Sequence, residues 1–181
     1  MNKISAISLG LLLCASSSAM AMGLNAELGK NYSVLDAEMG RSSSGIYLDS
    51  QWIKNTADGV QIAQAGTGYN LAFGPVMVTA GVKATYVGGK KGDNGVAFPI
   101  GGGVKLSLPA NLALYGEGYS APKQFANSVK NFVEAEGGVS WSPLGPLIVK
   151  AGYRYAGVDG KDGRPGHTLI DGPYIGGGLT F

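Results

Sequence analysis

His167 is the only histidine of this 181-residue chain, with Asp162 and Asp171 close to it in sequence. Outer-membrane hydrolases and acyltransferases need a serine or water activated by a histidine and a carboxylate. A lone histidine in the loop before the last strand reads first as a solvated side chain, so no catalytic residue is assigned. Asp159 to Gly163 mixes Asp and Gly as calcium loops do, but Lys161 fills a place a ligand would need and the spacing fits no EF-hand, so no metal is expected. Gly101-Gly102-Gly103 and Gly176-Gly177-Gly178 lie in extended runs without a following helix or Lys-Ser/Thr. They are not phosphate cradles, and no cofactor is expected. Asn31-Tyr32-Ser33 matches a glycosylation sequon, a chance match if the host is bacterial.

The remaining chemistry is ionic. Glu27, Asp36, Glu38, Asp49, Glu117, Glu134 and Glu136, with Lys83, Lys105, Lys150 and Arg154, all fall on one face of alternating segments whose other face is apolar. If that face lines a barrel of eight to ten strands, the interior is barely wider than the side chains filling it. Such charges must pair, because an unpaired buried charge costs several kcal/mol. The favoured reading is a polar plug that holds the barrel shut. The alternative is a narrow, slightly acidic path for small cations, since acids outnumber bases seven to four.

The elements that position these charges are strands of period two. Val76, Val78, Ala80, Val82, Ala84 and Tyr86 oppose Met77, Thr79, Gly81, Lys83 and Thr85, and similar alternation recurs to Phe181. Phe73-Gly74-Pro75, Pro109-Ala110-Asn111 and Pro143-Leu144-Gly145-Pro146 are short turns, and Arg41 to Ser44 is a fourth. Between them lie longer polar loops at Gly88–Gly95, Ala121–Asn131 and Gly157–Gly172. Short turns on one side and longer loops on the other are the asymmetry of bacterial outer-membrane barrels, with the short side periplasmic. Ten strands in five hairpins are expected, or eight if the pair around Tyr32-Ser33 does not form two spans. Val60 to Leu71 changes phase around Gln64, which suggests a bulge.

A soluble β-sandwich also alternates, but its apolar face gives a terminal Phe no special role. Here the apolar face carries no charge, and its aromatics sit at strand ends: Phe73, Trp141 and Phe181 toward the short turns, Trp52, Tyr86, Phe98 and Tyr155 toward the loops. Two aromatic girdles are a bilayer feature. The predicted fold is all-β, a single antiparallel up-and-down transmembrane β-barrel.

Targeting signals agree. Lys3, the apolar run Ile4 to Leu13 and the small-x-small site Ala19-Met20-Ala21 form a signal peptide over residues 1–21, leaving 22–181 as the barrel. The run is too short for a membrane-spanning helix, which needs about 20 residues. The single cysteine, Cys14, lies inside the signal behind Leu13, too large for a lipoprotein site, so no disulfide is expected after cleavage. The formal charge of +2 gives no sign of nucleic acid as a partner and none is expected, and 31 glycines without a collagen period suit sheet that bends and packs closely.

Asn25-Ala26-Glu27-Leu28-Gly29-Lys30-Asn31-Tyr32, Leu71-Ala72-Phe73-Gly74-Pro75, Ala151-Gly152-Tyr153-Arg154-Tyr155, Gly160-Lys161-Asp162-Gly163 and Asp171-Gly172-Pro173-Tyr174 resemble the YfaZ family of small enterobacterial outer-membrane proteins. The resemblance covers essentially the whole mature chain. It implies an outer-membrane barrel in a Gram-negative bacterium and carries no catalytic residues to transfer.

Three functions are compatible with these features: a structural or narrow channel-like barrel, a surface module whose loops bind lipopolysaccharide or a host molecule, and, weakest, a lipid-modifying enzyme using His167. Expected partners are outer-membrane lipid, lipopolysaccharide and, through the strand ending in Phe181, the barrel-assembly machinery. The basic side chains offered to lipopolysaccharide phosphates are Lys54, Lys90, Lys91, Lys123, Lys130, Lys161 and Arg164, against Asp58, Asp93, Asp159, Asp162 and Asp171. N-terminal sequencing of the exported protein should begin at Met22.

Overall fold

The computed structural model describes residues 21–88, 94–122, 126–127, 129–160 and 167–181. Ala19 and the rest of 1–20 lie outside the described residues, as do Lys90, Lys91, Asp93, Lys123, Lys161, Asp162 and Arg164 and the side chains of Lys130, Asp159 and His167.

Alternation becomes twelve strands: β1 (Met22–Gly29), β2 (Tyr32–Met39), β3 (Gly45–Asn55), β4 (Gln61–Phe73), β5 (Val76–Gly88), β6 (Gly95–Ala97), β7 (Ile100–Leu108), β8 (Leu112–Ala121), β9 (Ala126–Asn127), β10 (Val129–Leu144), β11 (Leu147–Gly160) and β12 (His167–Thr180). Ten of them close an antiparallel ring in the order β1-β2-β3-β4-β5-β7-β8-β10-β11-β12, with β12 returning to β1. Closure suits a membrane wall, because it leaves no sheet edge in hydrocarbon. β1 and β2 each run eight residues and pair with each other, so the count is ten rather than eight.

β6 and β7 are one strand interrupted at Pro99. Thr85 faces Ala97 and Val82 faces Ile100 in an unchanged register, and Pro99 still accepts from the Lys83 amide at 2.9 Å. Proline has no N–H to donate, which breaks the ladder without shifting it. β6 also pairs with β9 beyond the end of β8.

The bulge expected near Gln64 is not there. The β3–β4 and β4–β5 registers run without a shift from Gln61 to the far end of β4. The apparent change of phase arises because Ile62 points inward and is as apolar as the outward Ala63 and Ala65. A shift does occur between β11 and β12 at Ala156/Gly157, and it leaves the consecutive residues Leu169 and Ile170 both buried. The last long loop is also shorter than expected, since β11 continues to Gly160 and β12 resumes at His167, paired with Val158.

Glycine makes room for the large inward side chains. A Cβ on Gly68 would stand 2.6 Å from the Tyr47 ring, one on Gly152 2.9 Å from the Tyr174 hydroxyl, and one on Gly176 2.9 Å from the Glu27 side chain. At the β4–β5 turn Gly74 has φ +60°, a conformation open to glycine at little cost.

The ring closes where the chain's two ends meet. The Met22 amide donates to the Phe181 carbonyl at 2.8 Å, and the Phe181 amide donates to Met22 at 2.9 Å. Deleting Phe181 removes both bonds and an outward aromatic. The expected result, read by electrophoresis with and without boiling, is a smaller fraction of compact, heat-modifiable barrel inserted per unit time.

Candidate functional site: a layered lumen

The inward side chains stack in three layers. At the long-loop end the layer is apolar: Tyr32, Val34, Ile53, Ile62, Val87, Phe132, Leu169 and Ile170, with Ala97, Ala121, Ala156 and Tyr174, form one buried cluster. Their chain neighbours Leu35, Trp52, Tyr86 and Val133 are exposed on the outer surface, so the strands carry large apolar residues on both faces at this height. Phe132 and Ile62 are at most 1 % exposed.

The middle layer is built around Arg154 of β11, itself 1 % exposed. Its Nη2 lies 2.9 Å from Glu27 Oε2 and also contacts Glu136 Oε2. Its Nη1 donates to Gln51 Oε1 at 2.9 Å and lies 3.4 Å from Glu134 Oε1. Glu134 is shared: Lys83 Nζ stands 3.6 Å from it, and Gln64 Nε2 donates to its other oxygen at 2.8 Å. Tyrosines complete the layer. The Tyr174 hydroxyl donates to Glu136 at 2.7 Å and meets the Tyr115 hydroxyl, while Lys83 Nζ lies 4.1 Å from the Tyr119 ring centre. A guanidinium is suited to this place, because its planar donor fork serves several carboxylates at once.

The third layer, at the short-turn end, surrounds a cavity of about 130 Å³ lined by Asp36, Glu38, Lys105, Glu117 and Lys150 among others. Asp36 accepts from Asn25 at 3.0 Å. Glu117 pairs at 2.8 Å with Arg41, which comes from the β2–β3 turn and packs 4.6 Å from the Tyr47 ring centre. That turn is held by Asn70, whose Nδ2 donates to the Gly40 and Ser43 carbonyls at 3.0 and 3.2 Å.

The eleven charges picked out from the sequence are all buried or half-buried in this lumen; ten line the cavity, and Glu134 sits against Arg154. They do not form a single network. Glu27, Glu134 and Glu136 gather on Arg154 and Lys83, whereas Lys105 and Lys150 have no carboxylate within 4.0 Å among the described residues. Neutralisation by four cations therefore needs correcting: Arg41, read from the sequence only as part of a turn, pairs Glu117 where Lys105 was expected to contribute. Trp52, Phe73, Tyr86, Phe98, Trp141, Tyr155 and Phe181 are all exposed on the outer surface, and Ala21, of the expected cleavage site, lies at the cavity mouth.

Sequence reasoning missed the apolar layer altogether. Its signal was present as adjacent apolar pairs at the loop ends of strands, Val34-Leu35, Trp52-Ile53, Tyr86-Val87 and Phe132-Val133, which a two-residue period assigns to opposite faces.

The description YfaZ precursor matches residues 1–181. The outer membrane protein YfaZ of Escherichia coli strain K12 is 34% identical over 181 residues, covering 100% of both chains. Among solved structures, a KdgM porin in complex with disordered oligogalacturonate superposes with a TM-score of 0.50 over 89% of this chain and 99% of the porin, at 10% identity. That likeness concerns the barrel fold alone. With a match along its full length and a curated relative at this identity, the chain belongs to the YfaZ family of outer-membrane proteins.

Proposed function

We propose that this outer-membrane barrel is sealed and serves a structural, non-enzymatic role rather than conducting ions. The observation that carries the reading is the superposition of two unlike barriers across one narrow lumen. The apolar layer around Phe132 and Ile62 gives a hydrated ion nothing to exchange its water for. Directly beneath it, Arg154 ties strands β1, β3, β10 and β11 together through Glu27, Gln51, Glu134 and Glu136. A conducting path would have to displace both. The periplasm-facing cavity stops below them, so it is a blind vestibule in this reading.

A cation path remains the competing reading, and the two are separated by the protein in planar bilayers. The sealed barrel should give no steady unitary conductance. In a denaturant titration Arg154→Met should lower stability by about 3 to 5 kcal/mol, since it takes the paired cation from Glu27 and Glu136 and leaves Glu134 to Lys83 and Gln64, while Lys105→Met, which breaks no ion pair among the described residues, should cost under about 1 kcal/mol. Steady cation-selective channels in the unmodified protein, altered by Lys105→Met at unchanged stability, would overturn the sealed reading.

A further inference from the structure

The wall of the barrel is not of even height. β1 and β2 have eight residues each, whereas β10 has 16 and β11 has 14. At about 3.3 Å per residue and a tilt of about 40°, eight residues rise roughly 20 Å, less than the apolar band of about 25 Å, while the longer strands rise roughly 35 to 40 Å. Since β1 is anchored at its periplasmic end by Met22 to Phe181, the shortfall falls at the outer end. The β1–β2 turn, at Lys30-Asn31, therefore lies at the outer-leaflet interface instead of standing above it.

This low rim is cross-linked by hydrogen bonds. The Thr56 amide donates to the Asn31 carbonyl at 2.8 Å, which joins the β1–β2 turn to the neighbouring β3–β4 turn. Asn55 organises the latter: its Oδ1 accepts from the Ala57 and Asp58 amides at 2.8 and 3.2 Å, and its Nδ2 donates to the Leu169 carbonyl at 2.6 Å. β12 loses its β1 partner after Gly29 meets Tyr174, and Tyr32 covers the freed edge with a bond of 3.0 Å to the Gly172 carbonyl.

Two exposed ammonium groups stand on this platform. Lys30 is at the turn, and Lys54 is two residues beyond the girdle residue Trp52 on the same outward face, about 7 Å higher along β3. Neither forms an ion pair within 4.0 Å among the described residues, and Asp58, four residues after Lys54 in sequence, is exposed. Around them the outer surface is aliphatic: Leu28 and Ile175 lie in the same register row as Lys54, Leu35 lies two residues lower, and each is more than half exposed.

We propose that this low rim docks lipopolysaccharide, a glycolipid phosphate lying between Lys30 and Lys54 and its acyl chains against Leu28, Leu35 and Ile175. Cations at headgroup height bordering an aliphatic wall match a lipid that carries phosphate on its sugar and several acyl chains beside it. The site is independent of whether the lumen is sealed.

Native mass spectrometry of the refolded barrel tests it with diphosphorylated lipid A, dephosphorylated lipid A, phosphatidylglycerol and inorganic phosphate as probes. Diphosphorylated lipid A should bind at least tenfold more tightly than the other three. Lys30→Gln with Lys54→Gln should abolish that preference, Lys30→Arg with Lys54→Arg should keep it, and both should retain heat-modifiable migration. The proposal is overturned if the glutamine variant binds as the unmodified protein does, if dephosphorylated lipid A or phosphatidylglycerol binds equally well, or if no lipid binds.

Discussion

Backbone amides and carbonyls cannot be left unpaired in hydrocarbon, and this requirement organises the molecule. It demands that β12 find β1, and the reciprocal bonds between Met22 and Phe181 complete that seam at the short-turn end. Where the ladder cannot continue, side chains take over. Tyr32 and Asn55 reach the Gly172 and Leu169 carbonyls above the last β1–β12 pair, and the Pro99 carbonyl keeps its partner although the proline has no amide to offer.

Closing ten strands leaves a lumen narrow enough that opposing side chains meet, so space and charge have to be solved together. Glycines beneath Tyr47, Tyr174 and Glu27 supply the space. Charge is handled by concentrating three glutamates on one guanidinium, with Lys83 and Gln64 bound to the glutamate it shares. Removing the guanidinium would leave Glu27 and Glu136 desolvated without their counter-ion and Glu134 held by Lys83 and Gln64 alone, so the network acts as one unit rather than as separate pairs.

The layering also divides the barrel by environment. Toward the long-loop end the inside is packed much as a soluble protein's core is, and toward the short-turn end it surrounds a polar cavity. Arg41, carried by a short turn, folds back over that vestibule and joins Glu117 and the Tyr47 ring. The family membership and the porin-like fold fit this architecture, and the filling of the lumen is a property of these particular side chains.

Much of this was determined by sequence alone. A two-residue period, two girdles of aromatics, short proline turns and a lipid-facing surface without charge specify a transmembrane barrel and the inward parity of all eleven charges, because a strand has only two faces. What parity cannot express is height and azimuth. Whether Lys105 or Arg41 meets Glu117, and that Glu27 of β1 shares Arg154 with Glu136 of β10, depended on strand stagger around the closed ring. The apolar layer escaped for a related reason: Ile53 and Ile62 look lipid-facing by composition although the period sets Ile53 opposite Trp52, and the uninterrupted register of β3 with β4 carries Ile62 inward beside it. The low outer rim at Lys30 was likewise decided by the tertiary structure, since a strand's length acquires meaning only against the walls and the bilayer beside it.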